Sequence, residues 1–159
     1  VHDYMIFLKQ IMKVIKIFII TLAFSLSLSI PSYANQSIEE IIKGRKAMFS
    51  ENYQNAKQIS ILLKQKKIEE AKPLIKKISD NYIKLLNYFP DNTKEGFKTE
   101  ALPSIWENKD EFNTLMQKAS DDMLKLAKAI DTAEDLRDIQ KKLMWSNCSA
   151  CHNRFRAEH

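Results

Sequence analysis

The sequence predicts an all-α protein, an antiparallel four-helix bundle. The chain has 159 residues but only two Gly and four Pro, too few for the many turns of a sheet protein. Apolar residues return every three or four positions along four long segments, the spacing of one helix face. Short links between segments 1 and 2, and between 3 and 4, favour antiparallel neighbours. The scarcity of glycine also leaves no loop to cradle a phosphate, which argues against nucleotide chemistry.

The first 34 residues stand apart from this pattern. Lys9, Lys13 and Lys16 precede an uncharged apolar run from Ile17 to Ile30, followed by Pro31 and Ser32-Tyr33-Ala34. That is the order of a secretory signal peptide, with cleavage expected after Ala34. The apolar run is shorter than the roughly 20 residues that span a bilayer. The expected working protein is 35–159, exported and not held in a membrane. Removing three Lys and one Asp leaves 22 basic and 19 acidic side chains. These are interleaved and form no basic block, so no nucleic-acid partner is expected.

Helix 1 opens with a capping box, Ser37 and Glu40. Its apolar face runs through Ile38, Ile41/Ile42, Met48/Phe49, Ala56, Ile59 and Leu63. Helix 2 has the most regular stripe: Ile68, Ala71, Ile75, Ile78, Tyr82, Leu85 and Phe89, a bundle seam. Pro73 falls within the first turns, where proline is tolerated. Breakers then fill the stretch from Phe89 to Leu102. Helix 3 opens at Pro103-Ser104 and runs through Phe112, Leu115, Ala119, Met123 and Leu126 to about Ile130. Helix 4 is expected from Asp131 or Thr132, with Leu136, Ile139, Leu143 and Ala150 on its apolar face.

The only two cysteines lie close together near the end of helix 4, in Cys148-Ser149-Ala150-Cys151-His152. This is the C-x-x-C-H pattern of c-type haem attachment. Two thiols three residues apart on a helix can each add to a haem vinyl group, and the adjacent imidazole can then bind iron. The rival readings are weaker. A disulfide would close a tiny loop and stabilise little. A thioredoxin-like motif wants a βαβ setting and a helix start. A zinc site would need further ligands, and the only other histidine after the leader is the terminal His159.

With Phe155-Arg156 after it, this C-terminal motif on the last helix of a bundle resembles the cytochrome c prime family. Phe89-Pro90, Thr93, Thr99-Glu100-Ala101, Ile105-Trp106, Asp110 and Phe112 are similar to the family's central block. Arg45 and Phe49, four apart, are similar to its pair on the first helix. The resemblance implies one covalent haem c, bound as thioethers by Cys148 and Cys151, with His152 as the axial ligand. It further implies that Arg45 neutralises a propionate beside Lys46, and that Thr99 and Glu100 contact the haem. Phe49 would occupy the distal face and leave iron five-coordinate, and Arg156 would flank the proximal face.

Arg45 and Phe49 at i and i+4 share one helix face. An Arg within an apolar stripe needs a partner, either a propionate or a surface carboxylate. Phe49 reads equally as plain core. Met48, one residue away, offers a different outcome: if its sulfur reached the iron, the site would be closed. The protein would then be a low-spin electron carrier. Met116, Met123 and Met144 read as packing residues.

The expected function is therefore a periplasmic, high-spin, non-enzymatic haem protein that binds nitric oxide and carbon monoxide and can transfer electrons. Its distal pocket is expected to be apolar and to lack hydrogen-bond donors. Glu39, Glu40 and Glu51 do not align with Arg45 and Phe49, so the distal helix offers no general acid for peroxide cleavage. The resemblance also implies a homodimer through helices 1 and 2. Ile61, Leu62 and Leu74 could supply its face or could belong to the core.

Overall fold

The computed structural model describes residues 36–158, so the expected leader and its cleavage site lie outside the described residues. Helix α1 (Ile38–Lys64) begins as expected. The Ser37 hydroxyl accepts from the Glu40 N–H at 3.2 Å, and the Glu40 carboxylate accepts from the Ser37 N–H at 2.7 Å. Helix α2 (Ile68–Leu85) follows a three-residue link. Lys66, in the link, takes a left-handed φ of 58°. Ala71, Ile75, Ile78, Tyr82, Leu85 and Phe89 of the helix 2 stripe are buried.

Helix 3 comes as two pieces, α3 (Ser104–Glu107) and α4 (Lys109–Ala129). Asn108, at φ −124° and ψ 49°, interrupts the helix between them. Phe112, Met116, Ala119, Met123 and Leu126 face the core. Helix 4 starts later than expected, at α5 (Leu136–Gln140). Asp131 and Thr132 are plausible caps, but Asp135 does the work, its carboxylate accepting from the Arg137 and Asp138 N–H groups at 2.9 and 3.0 Å.

A wide π turn, Lys141–Trp145, separates α5 from α6 (Ser146–Phe155). A π turn holds more residues than an α turn and shifts every later side chain around the axis. The buried face departs from the expected one both before and after this turn. Leu136, Ile139 and Leu143 are only half-buried and Ala150 is exposed, whereas Gln140, Met144, Asn147 and Phe155 are buried. This displaced face also carries Cys151, which packs against the core.

The segment between α2 and α3 closes one end of the bundle. Its short turn Asp91–Thr93 buries Thr93 completely. The Trp106 indole donates to the carbonyls of Phe89 and Pro90 at 3.1 and 3.2 Å. The chain after α6 returns to the same end, where Arg156 is extended and bridges Ala101. The Leu102 N–H donates to the Phe155 carbonyl at 3.1 Å, and the Ala157 N–H donates to the Glu100 carbonyl at 2.9 Å. Four bundle segments thus pack about one core, with the C-terminal motif tied to the central loop.

Of the three residues considered for a dimer face, Leu62 belongs to the core at 5% exposure and Leu74 packs against it. Ile61 is exposed. Of the two readings left open for Leu62, the core is the one seen, because the α1 face it shares with Ile59 and Leu63 turns inward.

Candidate haem site

One cavity of about 610 Å³ opens between α1, α2, the central loop, α4 and the last helix. All nine residues singled out from the sequence line it: Arg45, Lys46, Phe49, Thr99, Glu100, Cys148, Cys151, His152 and Arg156. The rest of the wall is mostly core, including Phe89, Phe112, Met116, Met144 and Phe155. Phe89 and Phe112 stack edge-on at 4.7 Å, and Phe112 and Phe155 at 5.4 Å. These contacts fix the wall behind the motif.

Cys148 and Cys151 are free thiols, both half-buried. Burial pushes both up, Cys151 to about 11. They stay protonated at neutral pH, the opposite of the lowered pKa of a redox C-x-x-C. The Tyr82 hydroxyl lies 3.9 Å from Cys148 Sγ. Burial first, then the Arg156 guanidinium, lowers the His152 imidazole below its ordinary value, with Glu100 opposing. The neutral imidazole is the form that binds a metal.

Arg45 is buried at 2% exposure. Its guanidinium donates to the Tyr88 and Thr93 carbonyls at 3.2 and 2.9 Å, and to the Thr93 and Thr99 hydroxyls at 3.0 and 2.7 Å. Its face lies 4.6 Å from the centroid of Phe89. All four acceptors are neutral, so the alternative partner, a surface carboxylate, is not the one seen. Burial lowers it to about 10, and it remains a cation at neutral pH. A buried cation held by neutral dipoles on a cavity wall is suited to an incoming carboxylate. That chemistry, with two thiols and a neutral imidazole from the last helix lining the same cavity, fits a haem with acidic side chains.

The remaining expected site residues also line the cavity. Lys46 Nζ donates to the Lys98 carbonyl at 2.8 Å. Arg156 Nε donates to Glu100 Oε2 at 2.9 Å, so two residues expected to act separately form an ion pair at the cavity rim. Phe49 is half-buried and edge-on to Phe89 at 6.4 Å. Met48 packs against the core, and it is not among the cavity-lining residues. One helix position turns the pair apart, since adjacent residues are about 100° from each other around an α-helix.

Asn52, one turn beyond Phe49, lines the cavity at 6% exposure, and its Nδ2 has no partner. Asn52, Tyr82 and Trp145 are lining residues that sequence reasoning passed over. The spacing Arg45, Phe49, Asn52 was the available signal for the first. Tyr82 was read only as part of the core stripe.

Comparisons with known proteins agree with this geometry. The sequence profile of the family described as Cytochrome C' matches residues 40–156. Cytochrome c' of Rhodopseudomonas palustris is 32% identical over 124 residues, covering 75% of this chain and 83% of the relative. A solved structure of cytochrome c' from Rhodopseudomonas palustris is 29% identical with a TM-score of 0.66, covering 77% of this chain and 98% of its own. The nitric oxide complex of a mutant cytochrome c prime from Alcaligenes xylosoxidans shares the fold at 20% identity and a TM-score of 0.66, covering 78% and 99%. The match extends through the C-x-x-C-H motif and the bundle around it, and the chain belongs to the cytochrome c' family.

Proposed function

We propose that this chain is a periplasmic haem c protein that binds nitric oxide and carbon monoxide at an open, five-coordinate iron and can pass electrons. The observation that carries this reading is the cavity lining, to which α1 contributes Phe49 but not Met48. The family's gas-binding and electron-transfer character supports it, as does the nitric oxide complex of the related Alcaligenes xylosoxidans protein. Among the described residues, no helix is long and apolar enough to cross a membrane. The residues 1–34 are read as a leader cleaved after Ala34.

When bound, the haem supplies an iron that can change oxidation state and take a diatomic ligand. The chain's residues then have distinct tasks. Cys148 and Cys151 would hold the ring as thioethers, each S–H adding across one vinyl double bond. His152 binds the iron through a neutral imidazole. Arg45 and Lys46 balance the propionates, and Thr99 and Glu100 contact the ring from the central loop. Arg156, paired with Glu100, flanks the His152 side. Phe49 and the aromatic wall exclude bulk water and favour a small neutral ligand. The protein forms a homodimer through α1 and α2, with Ile61 at its face.

The test is anaerobic titration of the reduced holoprotein with nitric oxide and with carbon monoxide. The proposal expects uptake of each gas by the haem at saturation. Haem-loaded protein that takes up neither gas would overturn it.

A further inference from the structure

Tyr82 belongs to the α2 stripe, and its ring packs in the core at 9% exposure. A phenylalanine would fill that place as well, so packing alone does not account for the hydroxyl. Tyr82 lines the cavity, and its hydroxyl oxygen lies 3.9 Å from Cys148 Sγ on α6. The larger radius of sulfur makes such contacts longer than those between oxygens. Among the described residues, no other group hydrogen-bonds to this hydroxyl. Burial first, and then Cys148, holds the phenol well above its ordinary value, so it keeps its proton at neutral pH.

In the free chain either group can donate, since a phenol and a thiol both carry a hydrogen. Attachment removes that choice. When the S–H adds across a vinyl double bond, the sulfur bonds to one carbon and the hydrogen passes to the other. Nothing leaves, and no outside electron is needed. The sulfur keeps its lone pairs but has no hydrogen left to give. Both α2 and α6 pack on α4, which keeps the two groups neighbours after the bond forms. A buried hydroxyl without an acceptor is costly, and the thioether sulfur, a weak acceptor, is the one within reach.

We propose that Tyr82 is a positioning residue for the haem edge, donating its hydroxyl hydrogen to the Cys148 thioether sulfur and so raising the reduction potential of the iron. The inference rests on the haem-attachment and electron-transfer reading above, and it needs nothing of the iron's sixth position. The bond puts the positive end of an O–H dipole at the ring edge, in a buried setting where dipoles act strongly. Such a dipole favours ferrous iron, which carries one positive charge fewer. Hydrogen bonds beyond the direct ligands are a general lever on metal potentials.

The test is redox titration of the holoprotein. Tyr82→Phe keeps the ring and removes only the hydroxyl. It should shift the ferric–ferrous equilibrium toward ferric by roughly threefold, a lowering of about 28 mV for one electron. In a Cys148→Ala background, where Cys151 alone holds the ring, the same exchange should leave the potential unmoved. An unchanged potential in Tyr82→Phe would overturn the inference. An equal shift in both backgrounds would overturn the route through the sulfur and leave attachment intact. Alkylation of denatured wild-type holoprotein reads attachment separately. Cys148 should escape labelling, and a labelled Cys148 would overturn the attachment reading together with the inference.

Discussion

Asn147 Nδ2 donates to Asp122 Oδ2 at 3.1 Å, which fixes the residue preceding the first motif cysteine to the middle of α4. Asp122 is buried, and the same carboxylate accepts from Lys118 and from Lys125 Nζ at 2.9 Å. Lys118 Nζ also donates to Asn147 Oδ1 at 3.1 Å. The C-x-x-C-H segment is thus held by a charged cluster as well as by core packing.

That cluster makes stability depend on acid. Burial alone would raise the Asp122 carboxyl, but the hydrogen bonds from Lys118, Lys125 and Asn147 outweigh it and hold it down at about 2. The folded value lies below the unfolded one of 3.8. Its stabilisation, on the order of 2 kcal/mol, is complete above pH 4 and is lost as the pH falls toward 2. Denaturant titrations across this range should show wild type weakening and Asp122→Asn starting weaker, with a flatter profile.

Arg45 should resist even a conservative exchange. Its guanidinium serves four neutral acceptors at once, and an ammonium has three donors on a single point. Arg45→Lys should lose about 2 kcal/mol of stability in denaturant unfolding, from at least one unmet buried acceptor.

The thiols can be separated by mass. Cys148→Ser and Cys151→Ser should each still carry covalent haem, held by the remaining thioether. The double variant should carry none. Intact-mass measurement under denaturing conditions reads this directly, and haem retained covalently by the double variant would contradict the assignment.

Phe49 is the expected crowding residue. Phe49→Ala should speed carbon monoxide association, measured by flash photolysis. It should also reduce stability through loss of its edge-on contact with Phe89, worth about 1 kcal/mol beyond the area lost.

Much of this was legible in the sequence because it lies in local spacing. The helix 2 stripe needs only a period, and the haem motif is contiguous. Arg45 and Phe49 stand one turn apart, so a single helix brings them together. The start of helix 4 was less legible, because Asp131, Thr132 and Asp135 are all competent caps and tertiary packing chooses among them. The π turn at Lys141–Trp145 has no residue signature, and beyond it Asn147 is buried while Ala150 is exposed. Asn52 was hidden for another reason: a polar residue on an amphipathic helix reads as solvated until Asn81 is placed beside it from α2. The ion pair of Glu100 with Arg156 likewise depends on the bridge that joins two distant segments.

The central claim is an iron with one protein ligand, His152, and an open second face. The most direct measurement is the absorption spectrum of the reduced protein before and after carbon monoxide. The account predicts a broad high-spin Soret band that sharpens and shifts when the gas is added. Sharp α and β bands unmoved by carbon monoxide would show a sixth ligand closing the site, and would contradict it.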